Sequence, residues 1–403
     1  MVKRSAISSQ VLTANLLRVA AHPWILAKMS VLQGEKLFFD TLYPCSARGH
    51  ARRIRQVGIR ITDLCNLRCR TCGQWGERGF LHQCDPKVLR QDEVSPERYQ
   101  QLFADLAEHG HRPILYFWGG EPMLYRGILD LVEAGSRLHL PVAIATNGTG
   151  IEAAAELLVR APLFLLQISI DGHTGDLHNR LRPSAGRGDN FRAIESGLAA
   201  VRRVRARRTG LPLIASLTTI SRENSAHLVD IYDGFRDRVD MFVFYLSWWI
   251  DEADAAAHDQ DFSRRFGFTP SLHRGWIGQW KADNHAALAG QIEALLARSR
   301  QPGAVPVTFI PFLRGERALT AYYTNHRERF GYDQCVSIFQ VVEVNSNGDV
   351  SPCRDYHDYV VGNVKTATLS ELWNSECYVA FRRSLATEGL MPVCSRCCGL
   401  MGY

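Results

Sequence analysis

The chain has 403 residues, of which 46% are hydrophobic and 22% are charged, and a formal net charge of +6. These proportions exclude an intrinsically disordered chain and indicate a large buried core, and the length is sufficient for two domains or for a barrel with an additional module. Because 11 cysteines occur without a signal peptide, we expect a reducing compartment and therefore a cytoplasmic protein.

The N-terminal region contains two short apolar stretches that Pro23 separates. Arg18, His22 and Lys28 interrupt these stretches, so no run reaches the roughly 20 apolar residues that a membrane span needs. No transmembrane segment is therefore predicted. We expect two short amphipathic helices that pack on the body of the protein, with contact to a membrane surface or a partner as the alternative.

The densest basic runs cover residues 48–55 and 202–208. The second run closes a helical pattern before Thr209 and Gly210, where basic side chains favour the C-terminal end of a helix. Neither run is accompanied by a nucleic-acid-binding motif or by interleaved aromatic residues. We therefore expect no nucleic-acid partner.

From about residue 55 the chain alternates β-rich runs with helical patterns, which predicts a parallel sheet with outer helices. Six such units are too few for a closed eight-stranded barrel, so the fold class is α/β, with either an open partial barrel or a doubly wound sheet. The predicted strands are 56–62, 113–118, 141–146, 164–170, 212–219 and 241–247, with a further strand at 305–312. The predicted helices are 96–109, 125–138, 151–160, 190–205, 224–236 and 285–300.

Three cysteines, Cys65, Cys69 and Cys72, directly follow the first predicted strand. Thiolates at this Cys-x3-Cys-x2-Cys spacing point into one turn, and soft sulfur ligands select iron-sulfur clusters or zinc. Three ligands leave the fourth iron of a cubane open, as three protein ligands leave a catalytic zinc open. The spacing therefore predicts an open cluster that binds a substrate or cosubstrate. A zinc loop with a distant fourth ligand is the alternative, although zinc sites more often use paired Cys-x2-Cys units.

Further motifs follow the next three predicted strands, at the same edge of the sheet. They are Gly119-Gly120-Glu121-Pro122, Asn147-Gly148, and Ser169 with Asp171 and Gly172. Paired glycines let the backbone approach a ligand closely, and the Glu121 carboxylate can accept a hydrogen bond from a ligand's ammonium group. A simple turn is the alternative for the Gly-Gly-Glu-Pro segment. Because loops at this edge converge, we expect one site that includes the cysteine loop.

A second cysteine group lies in the C-terminal region. Its members are Cys335, Cys353, Cys394 and Cys397, with Cys398 adjoining. Apolar residues on both sides of Asn347-Gly348 predict a β-hairpin that brings Cys335 towards Cys353, and a predicted helix over 369–385 returns the chain to Cys394. Four thiolates form a closed site, for which structural zinc and a fully ligated iron-sulfur cluster both remain open.

The Cys-x3-Cys-x2-Cys loop and the Gly-Gly-Glu-Pro segment, each directly after a strand, resemble the radical S-adenosylmethionine (SAM) superfamily over about residues 55–250. The resemblance implies a partial (β/α)6 TIM-like barrel with a [4Fe-4S] cluster on Cys65, Cys69 and Cys72, whose open iron binds SAM. It also implies an enzyme that cleaves SAM reductively to a 5′-deoxyadenosyl radical, which abstracts hydrogen from a substrate. A flavodoxin-type or ferredoxin-type electron donor is implied as a partner.

The resemblance further implies which residues contact SAM. Gly119, Gly120 and Glu121 are expected at its amino group, and Ser169 with Arg180 at its ribose or carboxylate. The family often has an aromatic residue before the third cysteine, but Thr71 stands there in this chain, with Trp75 near enough to replace it. The full expected cofactor-binding set is Gly119, Gly120, Glu121, Pro122, Asn147, Ser169, Asp171 and Arg180.

The C-terminal pattern, Cys-x12-Gly-x4-Cys followed by Cys-x2-Cys, resembles the auxiliary-cluster module known as SPASM in its longer form and twitch in its shorter form. Since the further spaced cysteines of the longer form are missing, the resemblance implies one auxiliary [4Fe-4S] cluster on Cys335, Cys353, Cys394 and Cys397, with Cys398 as an alternative ligand. The implied organisation is an N-terminal helical extension at 1–54, the barrel at 55–250, a covering, substrate-facing segment with the last barrel helix at 251–330, and the cluster module at 331–403.

The remaining cysteines, Cys45, Cys84 and Cys377, are expected to be buried small hydrophobic residues. The alternative is a hydrogen-atom donor to a substrate radical, for which Cys398 and Cys84 are the candidates. No other catalytic residue is assigned.

The substrate is expected to face a tryptophan-rich stretch between the barrel and the cluster module. Its aromatic, acidic and histidine side chains predict either an aromatic-lined, acid-rimmed pocket or a segment that packs over the barrel mouth. Modification of a peptide or protein, by oxidation, epimerisation or cross-linking, is the first functional hypothesis. Oxidation or rearrangement of a small metabolite such as a sugar alcohol is the alternative, and a non-catalytic metal-binding scaffold is a remote third. The side chains are Trp248, Trp249, Trp276, Trp280, Asp251, Glu252, Asp254, His258 and His273.

Overall fold

The computed structural model describes residues 48–161, 163–206, 210–278 and 280–401. Within these ranges, ten strands form one sheet. The strands are β1 (Gln56–Thr62), β2 (Ile114–Gly119), β3 (Val142–Thr146), β4 (Leu165–Ser169), β5 (Leu213–Ile220), β6 (Met241–Leu246), β7 (Val307–Ile310), β8 (Val341–Val344), β9 (Asp349–Ser351) and β10 (Gly362–Asn363).

Helices alternate with the first seven strands and then continue into the C-terminal region. They are α1 (Pro86–Gln91), α2 (Pro96–Glu108), α3 (Ile128–Arg137), α4 (Ile151–Arg160), α5 (Gly175–Leu181), α6 (Asn190–Ala206), α7 (Leu228–Phe235), α8 (Glu252–Phe266), α9 (His285–Ser299), α10 (Glu316–Thr324), α11 (Leu369–Leu372), α12 (Glu376–Glu388) and α13 (Cys398–Met401).

The strand order is β10-β9-β8-β1-β2-β3-β4-β5-β6-β7. Strands β1 to β7 are neighbours in chain order, and each pair is parallel. A doubly wound sheet would instead reverse its order at a switch point. The α/β fold with a partial, TIM-like barrel is therefore confirmed.

Strand β8 extends this sheet on the other side of β1. It pairs with β1 in parallel, with Gln56 opposite Val341 and Ile59 opposite Val344. Strands β9 and β10 follow as antiparallel neighbours, so the predicted hairpin around Asn347-Gly348 is part of the same sheet. The C-terminal cysteines are thereby carried to the edge of the barrel next to β1.

The outer helices bury one apolar face against the sheet. In α2, for example, Tyr99, Leu102, Phe103 and Leu106 are buried, which is the i, i+3, i+4, i+7 spacing of a helix with one apolar side. A smaller apolar group is formed by side chains of β5, β6 and β7. Its members are Ala215, Met241, Val243 and Ile310. The polar residues at the ends of the strands lie outside these apolar groups and can form a site.

Several predicted boundaries differ from the structure. The helix predicted from residue 224 begins at Leu228, because the Asn224 side chain instead accepts from Ser221 N at 2.7 Å and donates to Asp171 O at 3.0 Å. The helix predicted over 369–385 is two helices, since Ser375 caps α12 by accepting from Tyr378 N. Helices α1, α5, α8 and α10 were not predicted.

The two amphipathic helices predicted near the N terminus, and Cys45, lie outside the described residues. Among the helices that the structure describes, none has both the length and the apolar composition needed to cross a bilayer.

Candidate active site

The first cysteine group lies in a tight loop directly after β1. The loop turns twice, with Cys72 N donating to Cys69 O at 3.2 Å and Gly76 N donating to Cys72 O at 3.0 Å. Cys65, Cys69 and Cys72 are each half-buried and line one cavity of about 310 Å³. The local spacing therefore brings the three thiols to one concave surface, as the sequence predicts.

Each of these three thiols has a hydrogen-bond donor of its own. Leu67 N donates to Cys65 Sγ and Trp75 N donates to Cys72 Sγ, both at 3.4 Å. The Arg182 guanidinium donates to Cys69 Sγ at 3.7 Å. Burial raises the pKa of Cys65 and of Cys69 to about 12, so the thiols need a metal centre to become thiolates, and the donors then stabilise the negative sulfurs.

The spread of the sulfur atoms bears on the kind of metal centre. In the part of the chain that the structure describes, no three cysteines have their sulfurs within 4.8 Å of one another. Four sulfurs on one zinc, at the usual Zn–S distance, would lie about 3.8 Å apart. The thiols of each cysteine group would therefore have to move closer together to share a single zinc ion.

The Gly-Gly-Glu-Pro segment packs directly on the cysteine loop. Gly120 N donates to Thr62 O at 2.8 Å and Glu121 N donates to Leu64 O at 2.7 Å. A side chain on Gly120 would collide with the Leu64 carbonyl, and Gly119 has a φ of 139°, which favours glycine. Both glycines line the cavity. Their smallness is thus required by the backbone of the cysteine loop as well as by any ligand.

Glu121 is held by hydrogen-bond donors of the protein itself. Its side chain is buried, and its carboxylate accepts from Thr146 Oγ1 at 2.6 Å, Asn147 N at 2.7 Å and Met123 N at 3.0 Å. Neither Glu121 nor Pro122 lines the cavity. The carboxylate braces the loop after β3, and its contact with a ligand's ammonium group stays a prediction.

The residues after β3 and β4 are divided between the cavity wall and its support. Asn147 and Ser169 line the cavity. Asp171 is buried behind the wall, where it accepts from Arg182 Nε at 2.6 Å and from Thr219 N at 2.8 Å. Asp171 therefore positions a neighbouring arginine and does not reach the cavity itself.

That arginine is Arg182, which lies two residues after Arg180, the residue that the sequence predicts at SAM. The Arg180 side chain is 52% exposed and pairs with Glu223 at 2.8 Å. Arg182 lines the cavity, beside Cys69. Arg180 lies in the last turn of α5, whereas Arg182 follows the end of the helix at Leu181 with non-helical backbone angles, so the two side chains leave the chain in different directions.

The C-terminal cysteines also lie together. Cys394 and Cys397 are buried, and Cys335, Cys353 and Cys398 are half-buried. Burial raises the pKa of the Cys397 thiol, and the charges of Asp355, Cys353, Cys398 and Cys335 raise that pKa further. The Cys397 thiol donates to the Asp355 carboxylate at 2.7 Å. The five sulfurs thus form one buried, mutually interacting group.

The cavity that Cys65, Cys69 and Cys72 line also reaches the second cysteine group, where Cys398 is the member that lines it. Cys398, Arg354, Asp355 and His357 from the C-terminal region line the same space as Cys65, Cys69 and Cys72. Of these four residues, the sequence predicts only Cys398 as part of a site. Arg354, Asp355 and His357 belong to no motif, although they closely follow Cys353.

Aromatic side chains of β2 support that wall. Tyr116 and Trp118 project into the cavity at alternate positions of the strand. The Arg354 guanidinium lies 4.9 Å from the centre of the Tyr116 ring, and the His357 ring stacks on Trp118 at 5.8 Å. The alternation along β2 is a signal that sequence reasoning could have used.

A buried carboxylate, Glu343 of β8, lies behind the same wall. Its Oε2 accepts from Trp118 Nε1 at 3.3 Å, and its Oε1 has no hydrogen-bond partner among the described residues. Burial raises the pKa of Glu343 to about 7, although the positive charge of Arg354 opposes the shift. The carboxyl therefore titrates near neutral pH within the barrel.

Comparison with known families agrees with this arrangement. The family model of the Radical SAM superfamily matches residues 59–233, which include the first cysteine group. The SPASM model, an iron-sulfur cluster-binding domain, matches residues 335–398, which include the second. The chain is a radical SAM enzyme with a C-terminal SPASM module. Its cofactors are accordingly SAM, a [4Fe-4S] cluster and an auxiliary iron-sulfur centre in the SPASM module.

Relatives of this radical SAM enzyme include two curated synthases. Pre-heme d1 synthase of Dinoroseobacter shibae is 25% identical over 358 residues, which cover 83% of this chain and 78% of the relative. AdoMet-dependent heme synthase of Oleidesulfovibrio alaskensis is 22% identical over 350 residues, which cover 85% and 80%. The structure of Streptococcus suis SuiB bound to S-adenosylmethionine has a TM-score of 0.57 at 16% identity, and the match covers 88% of this chain and 72% of SuiB. That likeness shows a shared fold.

A second, larger cavity of about 960 Å³ lies on the other side of the cysteine loop of the enzyme. Thr71, Cys72, Trp75 and Trp280 line both cavities. Ion pairs line the larger cavity, and in one of them an Arg70 nitrogen lies 2.7 Å from a Glu223 carboxylate oxygen. The cysteine loop is therefore accessible from two sides.

The tryptophan-rich stretch forms part of the cavity wall and part of the core. Trp248, Trp276 and Trp280 line the smaller cavity, whereas Trp249 is buried and donates to Tyr322 O at 3.1 Å. Asp251 and Glu252 line the larger cavity. Asp254, His258 and His273 are buried outside both cavities.

The other described cysteines are not buried. Cys84 and Cys377 are exposed, so the expectation that both are buried hydrophobic residues was wrong: Cys84 lies in an exposed turn, and Cys377 lies on the outer side of α12. Cys84 lines neither cavity. Of the two candidate hydrogen donors, Cys398 alone lines the shared cavity.

Proposed function

We propose that this radical SAM enzyme oxidises a side chain of a peptide or protein that is held between its two cysteine groups. The observation that carries the proposal is the shared cavity of about 310 Å³, which Cys65, Cys69 and Cys72 line from one side and Cys398 and its neighbours from the other. When bound, the clusters and SAM supply a 5′-deoxyadenosyl radical for hydrogen abstraction and an acceptor for the electron of the substrate radical.

We assign the metal ligands as follows. Cys65, Cys69 and Cys72 would hold the SAM-binding cluster, and the three hydrogen-bond donors to their sulfurs support this assignment. The auxiliary cluster would be held by Cys335, Cys353, Cys394 and Cys397. Cys398 lies in the cavity wall, where it would act as a hydrogen-atom donor or replace a neighbour as ligand.

The cavity wall supplies groups suited to SAM. The backbones of Gly119 and Gly120 can approach its amino group closely, and Asn147 and Ser169 offer polar side chains at the same edge. Arg182 supplies a cation that Asp171 holds in place. These residues would bind and orient SAM beside the cysteine loop. A flavodoxin-type or ferredoxin-type protein would be the electron donor.

Tryptophans would exclude water from the reacting atoms. Trp248, Trp276 and Trp280 line the cavity with large apolar rings. Radical intermediates need a site from which water and stray reductants are excluded, because these would otherwise quench them. Oxidation of the substrate radical also releases a proton. The Glu343 carboxyl, whose pKa burial raises to about 7, lies behind the wall and would accept it.

The larger cavity would hold the peptide chain, while the side chain to be oxidised reaches the smaller cavity past Trp75 and Trp280, which line both. Its lining carries both signs of charge, with Arg70 paired to Glu223 and Arg78 paired to Glu252. Paired charges of both signs suit a flexible chain of mixed side chains better than a ligand of one charge. SuiB, which shares the fold, has also been solved with its precursor peptide SuiA.

A second candidate substrate is a carboxylated tetrapyrrole, a member of the small-metabolite class. The relatives named pre-heme d1 synthase and AdoMet-dependent heme synthase match more than four fifths of the chain. Trp280 offers an aromatic ring in the larger cavity, and Lys281 offers a cation for carboxylates. The same cavity would then hold the ring instead of a peptide.

The test measures 5′-deoxyadenosine from the reduced, cluster-loaded enzyme and SAM. A pool of synthetic peptides and an iron coproporphyrin are supplied in separate reactions. Stimulation by peptides, with a mass loss on one peptide, is the expected result. Stimulation by the porphyrin alone would replace the first substrate with the second. Absence of 5′-deoxyadenosine despite a reducible cluster would instead favour a non-catalytic scaffold.

A further inference from the structure

Away from both cysteine groups, three metal-ligating side chains lie together. His173 stands in the loop after β4, and His227 and Asp230 stand at the start of α7. Each offers one ligand atom, and these atoms all lie within 4.8 Å of one another. Among the described residues, no other group of three histidine, cysteine or acidic side chains meets that distance.

The geometry of the group is compact. His227 Nδ1 lies 3.0 Å from Asp230 Oδ2, and the His173 and His227 rings lie 5.0 Å apart between centroids. Ligand atoms that share one tetrahedral zinc ion lie about 3.3 Å apart, given metal–ligand distances near 2.0 Å. A shift of at most about 1.5 Å in the His173 ring would therefore close the site around an ion.

An unpartnered nitrogen gives an independent sign of a ligand. His173 Nδ1 is buried and has no hydrogen-bond partner among the described residues. A buried polar atom without a partner is costly, so a water molecule or an ion at this nitrogen would lower the free energy of the site. The His227–Asp230 hydrogen bond does not explain it, because that bond leaves His173 out.

We propose that His173, His227 and Asp230 bind one divalent transition-metal ion, with Zn²⁺ as the best match and water in the fourth position. Imidazole and carboxylate together suit zinc, whereas Ca²⁺ and Mg²⁺ prefer oxygen ligands throughout. The side chains of His227 and Asp230 are 43% and 52% exposed. The ion therefore reaches the site from solvent, and a water molecule completes its coordination.

One effect opposes a cation here. The three ligands lie at the N-terminal end of α7, whose dipole disfavours positive charge. The dipole changes a binding constant by about fivefold at most, and the Asp230 carboxylate in the first turn offsets it. Direct coordination by two imidazoles and a carboxylate outweighs this cost.

The ion would join two loops that support the SAM site. The loop after β4 is already tied to the loop before α7, since Asn224 Nδ2 donates to Asp171 O at 3.0 Å. Asp171 in turn holds Arg182, which lies beside Cys69. A metal on His173, His227 and Asp230 would add a second tie between the same loops, and so stiffen the support of Arg182. The site does not depend on the proposed substrate.

The test measures zinc on the cluster-loaded enzyme. Wild type, His173→Ala, His227→Ala and Asp230→Asn are equilibrated with excess ZnCl2, passed through a desalting column, and analysed for zinc and iron. We expect wild type to retain one more zinc than each variant, with equal iron in all four. Zinc that replaces iron at cysteines would appear equally in all proteins, so the difference reports this site.

A matched control is His109→Ala. His109 Nδ1 lies 3.1 Å from the Asp105 carboxylate, but this pair belongs to no three-membered group among the described residues. Its loss should leave zinc retention at the wild-type level. Wild type retaining no more zinc than His173→Ala would overturn the proposal.

Thermal unfolding gives a second measurement, which also shows whether each variant is folded. Zinc should raise the unfolding temperature of wild type and of His109→Ala. Asp230→Asn keeps the size of an exposed side chain and should unfold like wild type without zinc, yet bind zinc at least about tenfold more weakly. An equal zinc-induced shift in wild type and Asp230→Asn would contradict the assignment.

Discussion

Glu343 lies opposite Gly58 in the ladder between β8 and β1, and its carboxylate occupies the space that a side chain at position 58 would take. The same carboxylate accepts from Trp118, whose ring supports the wall shared by the two cysteine groups. One glycine in β1 thus makes room for an ionisable group of the SPASM hairpin inside the barrel.

Gly58→Ala should therefore destabilise the enzyme by about 1–3 kcal/mol, because the new methyl group displaces the Glu343 carboxylate. Glu343→Ala in the same chain should restore much of the loss, since it removes the colliding group. Thermal unfolding of both single variants and the double variant measures this coupling. Additive effects of the two substitutions would show that the residues do not compete for space.

Glu343→Gln should change the pH dependence of stability. The folded pKa of about 7 exceeds the unfolded value of about 4.3, so the folded state binds more protons between these values. The stability that this carboxyl contributes is complete below about pH 4.3 and is lost as the pH rises through 7. Glutamine does not titrate, so the variant should gain unfolding temperature relative to wild type from pH 5 to pH 8.

The difference in the free energy of unfolding between the variant and wild type should grow by at most about 1.4 kcal/mol per pH unit, since one group titrates. Unfolding temperatures at pH 5, 6, 7 and 8 check it. Parallel curves for the two proteins would mean that Glu343 does not titrate in this range. The amide oxygen of the introduced glutamine can still accept from Trp118, so a loss of that hydrogen bond should not obscure the comparison.

Arg182→Ala should lower the formation of 5′-deoxyadenosine by at least about tenfold, because it removes a cation that lines the cavity beside Cys69. Arg180→Ala removes only an exposed ion pair with Glu223 and should stay within about twofold of wild type. SAM binding and product formation are measured together for both variants. A larger loss for Arg180→Ala than for Arg182→Ala would reverse the assignment of the two arginines.

Replacement of Cys65, Cys69 and Cys72 together by alanine should abolish SAM cleavage and leave the SPASM site loaded. Iron per chain should fall from about eight to about four after anaerobic reconstitution. The control Cys84→Ala changes an exposed cysteine outside both cavities and should retain the wild-type iron content. A fall from about four irons to none, with one zinc retained, would identify the C-terminal site as structural zinc.

The motifs nearest to each other in sequence were the easiest to interpret. The spacing of Cys65, Cys69 and Cys72 predicts one shared surface because the loop that holds them is short and closed by its own backbone hydrogen bonds. The strand β1 and the helix α4 have the bounds that their patterns predict. Local periodicity and local spacing determine these features, so no tertiary information is needed for them.

Other features of the cavity wall depend on tertiary contacts. Arg182 reaches the cavity from beyond the C-terminal end of α5, where helical spacing no longer sets the direction of a side chain. The environment of Glu121 depends on donors from the next strand, Thr146 and Asn147. Arg354 and Glu343 enter the site only because β8 pairs with β1. Contacts between residues far apart in sequence decide all of these.

The pairing of β8 with β1 also has a consequence for redox chemistry. Both cysteine groups are carried by one continuous hydrogen-bonded sheet, and Ser346 of the hairpin donates to Asp63 at the start of the cysteine loop at 2.6 Å. No flexible linker separates the two groups along this path of described residues. The pairing of β8 with β1 therefore sets the distance between the loop of Cys65 and the hairpin that leads to Cys353, and any electron transfer proposed between them would cross a distance that the sheet fixes.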